Sequence, residues 1–270
     1  MVRPQKSAYL GRTSEVRQPE DPPGFVVRTE SQKAASSNGF RLEQGIDNGW
    51  LRFGSTTSQV GVWIAGASKD GPWFLCVDRP EVGAECGLPL ASDLNSPGVA
   101  VFSFESLQGL YEALERIYRL GISLPDAPLK AFLAAVNDLP RKTETERLIV
   151  QRVGQEVFRR ALLAYWSGRC PLTGITDIQL LRASHIVPWA ECETDEKRLD
   201  VHNGLLLSAL WDAAFDTGLV SFTADGAPIY SPRLSIDAVT SLGLGGMGKL
   251  DALTKGHQEN LAWHRSRHAF

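Results

Sequence analysis

Basic residues are not in excess in this chain: 28 Lys and Arg stand against 31 Asp and Glu, and the formal net charge is −3. A protein that coats nucleic acid through its overall charge is excluded, so any such contact must come from a local patch. Cysteine is scarce too. Cys76, Cys86, Cys170 and Cys192 are too few for a disulfide scaffold, and no CxxC pair offers a zinc half-site. They read as reduced, mostly buried thiols, with no structural zinc expected. No apolar run approaches the roughly 20 residues that span a bilayer, and the opening MVRPQKSAYLGRTSEVRQPEDPP has no apolar stretch of the export kind. The expectation is a soluble, cytoplasmic protein with no membrane partner. What is present, 43% hydrophobic and 22% charged residues over 270 positions, is the balance of a folded chain of one or two domains.

Along the chain, residues 1–38 are rich in Pro, Ser, Gln and charge without an apolar period, and read as a flexible tail. Residues 39–105 hold short aromatic and β-branched runs, WLRFGS, QVGVWIAG, PWFLCV and GVAVFSF, separated by Gly, Asp and Pro. That pattern predicts a small β-rich domain. Residues 106–142 turn helical, with Leu107, Leu110, Leu114 and Ile117 on one face up to Gly121, then a second helix from Asp126 to before Pro140. A longer helix is predicted from Thr143 to Tyr165. The fold class expected is α+β.

The chemistry concentrates in residues 168–222, where Ser184-His185-Ile186 is followed by Pro188-Trp189, then Asn203-Gly204 with three leucines, then Asp212 and Asp216 around Phe215. This order, SHIxPW, NGLLL, DxxFD, resembles the HNH endonuclease family over roughly residues 160–235, and the lead-in helix extends the likeness to residue 143. The resemblance implies a C-terminal ββα-metal nuclease domain over 143–235, a C-terminal extension over 236–270, and a one-metal mechanism.

The residue types fit that chemistry. Phosphodiester hydrolysis needs a base to activate water and a cation to stabilise charge on the phosphorane and the leaving oxygen. His185 suits the base, because an imidazole titrates near neutrality. Asp212 and Asp216 are four apart, so on a helix they share a face. Their hard oxygens favour one divalent cation, Mg²⁺ or Mn²⁺, over Zn²⁺. By resemblance, His185 is the general base, Asn203 braces the hairpin, and Asp212 and Asp216 hold the metal. Two departures stand out: Ser184 occupies a position often held by a metal-binding Asp or His, and Trp211 one often held by His. His202 reads as a neighbour of the turn.

Between Arg141 and Arg182, eight Lys or Arg face four acids, a local balance of +4. Arg152, Gln155 and Arg159 share a helix face, and with Arg182 they are the expected contacts to DNA phosphates. Trp50, Trp63, Trp73, Phe53 and Phe74 either line a base pocket, making residues 39–105 a DNA or modification reader, or form core. The C-terminal WHRSRH reads as a frayed basic tail. The function expected is a restriction-type nuclease acting on double-stranded DNA, with a homodimer favoured if one site per chain is to cut both strands. Two rivals stay open: a toxin or non-specific nuclease with an N-terminal partner- or signal-binding domain, and a DNA-binding module whose active site has decayed.

Overall fold

The strand-forming runs fold into one antiparallel meander in the order β1 to β5: Leu42–Asp47, Trp50–Gly54, Val62–Gly66, Trp73–Val77 and Ala100–Phe104. The computed structural model describes residues 18–124, 126–140, 143–241, 243, 248–251 and 253–270. Period-two alternation sends Trp73, Leu75 and Val77 of β4 to one face and Phe74 and Cys76 to the other. Both faces are covered, which is why β4 is buried throughout. β1 escapes sequence reading because all six of its residues are exposed.

Residues 18–38 do not form the expected tail. Phe25–Ser37 is helix α1, with Val27, Ser31, Ala34 and Ala35 buried. It packs through small and branched side chains instead of a leucine stripe, so no apolar period announces it. Residues 1–17 of that tail, and Arg141 and Lys142 of the basic patch, lie outside the described residues. A short helix α2, Pro80–Glu85, precedes β5.

The connector helices are α3, Leu107–Ser123, and α4, Asp126–Val136. Gly121 does not stop α3; the helix runs past it and ends at Ser123. The long α5, Glu144–Tyr165, starts at a capping box in which the Thr143 hydroxyl accepts from Glu146 N and the Glu146 carboxylate accepts from Thr143 N. Its Phe158 and Leu162 continue the core that begins at the sheet and reaches Leu199 and Val201.

The C-terminal unit comprises β6 (Leu181–His185), α6 (Asp195–Leu199), β7 (Gly204–Ser208), α7 (Ala209–Asp216) and the hairpin β8 (Val220–Phe222) with β9 (Pro228–Tyr230). Helices α8, Ile236–Ser241, and α9, Lys255–His268, follow. WHRSRH is not frayed: His264 is buried in α9, stacked on Phe215, with its ring between the Ser221 hydroxyl and the Phe215 carbonyl. Leu250 and Leu261 join the core of this unit. All four cysteines are free and buried. Among the described residues no helix is long and apolar enough to cross a membrane.

The two units are tied together at His202. Its Nε2 lies 2.8 Å from Glu85 of α2 and its Nδ1 2.9 Å from Asp200. Burial opposes the charge on this ring, but the two carboxylates outweigh it and raise its pKa from the ordinary 6.5 to about 9. Stability from a group shifted upward is complete below pH 6.5 and is lost as pH rises through about 9. Denaturant midpoints should therefore fall more between pH 6.5 and about 9.5 for the native chain than for His202→Gln; parallel slopes would contradict the ion-pair assignment.

Candidate active site

β6 and β7 pair antiparallel, with His185 opposite Gly204 and Ser184 opposite Leu205, and α7 follows β7 directly. Helix α5 lies against this hairpin through two close approaches. A Cβ on Gly204 would stand 2.5 Å from Phe158, and one on Gly154 would stand 2.3 Å from Trp189. Only glycine admits these contacts.

They set the surroundings of His185. Its ring stacks on Phe158 at 3.8 Å between centroids and meets Trp189 edge-on at 5.7 Å. Its Nε2 is 2.8 Å from the Arg198 carbonyl. A carbonyl only accepts, so Nε2 carries the proton and Nδ1 presents a lone pair with no partner among the described residues. Burial lowers the pKa of His185 to about 4, against the opposing pull of that carbonyl. The ring is therefore a neutral base at ordinary pH.

Asn203 is fully buried and its amide is saturated. Its Oδ1 accepts from Val187 N at 2.8 Å, and its Nδ2 donates to the carbonyls of Val187 at 3.1 Å and Lys197 at 3.2 Å. It clamps both ends of the loop that carries Pro188 and Trp189 and leads to Arg198. Arg198 holds the same loop from inside, donating to the carbonyls of Trp189 and Cys192 and to the Asp195 carboxylate. Replacing Asn203 by Ala would strand the Val187 N–H and the Lys197 carbonyl, while the Val187 carbonyl keeps the Cys192 thiol, a loss on the order of 3 kcal/mol. A thermal or urea melt checks this; a variant as stable as the parent would contradict the bracing geometry.

Asp212 and Asp216 lie one turn apart on α7, and desolvation followed by the Asp212 charge pushes the Asp216 carboxyl up to about 6. Ser184 is buried and its hydroxyl donates to Asp212 Oδ1. Two carboxylates one turn apart on a helix fit a hard divalent cation, and Mg²⁺ is commonly held by one or two carboxylates with water and phosphate oxygens filling the rest. Among the described residues no cluster of three or more His, Cys, Asp or Glu is arranged to hold a metal. Trp211, in the position noted above, is buried in the core of the unit.

The expected phosphate contacts divide. Arg152 and Gln155 are exposed on α5 without hydrogen-bond or ion-pair partners among the described residues. Arg159 donates to the carbonyls of Leu181 and Ile178, and Arg182 to those of Gln179 and Leu181, so both fasten the start of β6. Of the sheet aromatics, Trp50, Phe53, Trp73 and Phe74 are buried. Trp63 is half-buried, with the Arg52 guanidinium 5.1 Å above its ring. Phe158 and the Arg198 carbonyl were missed in the sequence. Phe158 lies in a helix outside the motif, and a carbonyl leaves no side-chain signal.

A strand pair followed by a helix carries the imidazole at the strand end and the two carboxylates on the helix. Residues 170–223 match the family model described as HNH endonuclease, from the loop after α5 to just past β8. The C-terminal unit thus holds an HNH endonuclease domain, which implies a nucleic-acid substrate. No curated protein matches the chain.

Proposed function

We propose that the chain is a metal-dependent endonuclease that hydrolyses DNA phosphodiester bonds in a restriction-type defence role. The observation that carries this reading is the fixed tautomer of His185, whose free Nδ1 belongs to the same ββα unit as Asp212 and Asp216. Nδ1 takes a proton from water, which attacks phosphorus as the bond to the leaving oxygen breaks. Asp212 and Asp216 would hold Mg²⁺ or Mn²⁺, which when bound supplies positive charge to the phosphorane and the leaving oxygen. Ser184 fixes the orientation of Asp212 through its hydroxyl, and Asn203 holds the loop whose Arg198 carbonyl sets the His185 tautomer. Arg152 and Gln155 contact the phosphate backbone. One site per chain cuts one strand, so double-strand cleavage calls for two copies.

A second reading concerns the sheet unit. Residues 18–140 carry nine Lys or Arg and fifteen Asp or Glu, a net −6. Such a surface repels a polyanion, and most of the aromatics that would stack on bases are core. These two facts favour a unit that binds a partner or a small signal over one that reads DNA. Cleavage of unmodified and cytosine-modified plasmid and phage DNAs, with RNA alongside, tests both readings. The sheet reading expects equal rates on modified and unmodified DNA, and a strong modification preference would reject it. Cleavage of RNA alone would reject DNA as substrate.

A further inference from the structure

A cavity of about 260 Å³, apart from the nuclease centre, lies where α2, α3, the end of α5 and the start of α9 meet. Glu85, Arg116, Arg119, Trp166 and Thr254 are among the residues that line it. Arg116 and Arg119 are three apart on α3 and so share a face. Arg119 donates to the Ser167 hydroxyl, stands 3.9 Å from the exposed Glu115, and keeps a buried Nε–H without a partner. Arg116 is half-buried and has no hydrogen-bond or ion-pair partner among the described residues. Glu85, the one acid of the lining, has both oxygens engaged: Oε1 faces His202 at 2.8 Å, and Oε2 accepts from Tyr165 at 2.9 Å.

Two guanidinium groups thus line a cavity whose only carboxylate among the described residues is already committed. A half-buried charge without a partner is costly, and an anion in the cavity would relieve it. We propose that this cavity binds a small phosphate-bearing anion. The planar guanidinium fork matches phosphate oxygens, the Ser167 hydroxyl adds a polar contact, and Leu120 with Trp166 offers apolar surface to a small organic body. The volume lies just below the range of about 300–1,000 Å³ typical of small-ligand sites, which excludes a nucleic-acid duplex. This inference rests on the reading of the sheet unit as signal-binding. It adds a route to the nuclease, since Glu85 holds His202, the neighbour of Asn203.

The test is isothermal titration of the full chain in EDTA, so that no phosphate binds through a divalent cation at Asp212 and Asp216. Inorganic phosphate and a nucleoside 5′-monophosphate are the probes. The expected result is saturable binding of at least one of them, weakened about tenfold or more in Arg116→Ala and unchanged in His185→Ala. Tighter binding of the monophosphate would show that the organic body is held too. Absence of saturable binding for both probes would overturn the proposal, and so would undiminished affinity in Arg116→Ala with a parental melting curve. Should that variant fail to fold, Arg116→Gln is used with the same criteria. Because the titration needs neither metal nor cleavage, it can fail while the nuclease reading stands, and the reverse.

Discussion

Replacing His185 by Ala is expected to lower DNA cleavage by about 10²–10⁴-fold, the usual contribution of a general base, while DNA binding persists. Arg152 and Gln155, the proposed phosphate contacts, lie on α5 and are not replaced by the change. Removing a ring stacked on Phe158 leaves a gap, so melting curves accompany the rates and His185→Gln, which fills more of the space, is measured beside it. Parental activity in either variant would end the assignment. The pH profile carries the same information in another form. Since burial holds His185 near pKa 4, the ring is neutral above about pH 5. The rate at saturating Mn²⁺ should therefore show no acid limb at the ordinary imidazole value near 6.5. A limb at that value would mean a solvated histidine and a different base.

The second large effect falls on Asp212. Asp212→Ala should lower the rate by on the order of 10²–10³-fold, the scale of losing several kcal/mol of charge stabilisation, and high Mn²⁺ should restore only part of it. Ser184 sharpens this prediction, because its hydroxyl is bonded to Asp212 instead of being free to meet a cation. Ser184→Ala should weaken Mn²⁺ binding, read by electron paramagnetic resonance, by about tenfold, as loss of an orienting partner does. In the Asp212→Ala background the same change should add nothing, since residues that act through one another are not additive. An undiminished effect there would make Ser184 a ligand in its own right.

How much of this was legible beforehand depended on where each signal sits. The order of Ser184, His185, Asn203, Asp212 and Asp216 was readable because the ββα unit is one short contiguous stretch, with each residue type dictated by its chemistry. Helix α5 was expected from Thr143 to Tyr165, and its start has a local cause, the capping box of Thr143 with Glu146. Helix α1 was not expected, because its packing uses alanines and a single valine. The end of α9, WHRSRH, read as a basic tail because the buried positions of the helix are His257, Asn260, Leu261 and His264, mostly polar residues whose partners lie elsewhere in the chain. The stacking of Phe158 and the tie from Glu85 to His202 span 27 and 117 positions, distances over which no sequence period carries information. The aromatics of the sheet were open between pocket and core in the sequence, because alternation places them on two faces and does not say what covers each; most are buried.

Metal-dependent hydrolysis at the ββα unit is what the proposed function stands on. Its most direct test is single-turnover incubation of supercoiled plasmid with the full chain in Mg²⁺, in Mn²⁺ and in EDTA. The account predicts nicked or linear product with either metal and none in EDTA. Plasmid that is bound but stays intact under both metals would contradict it and leave a DNA-binding module in its place.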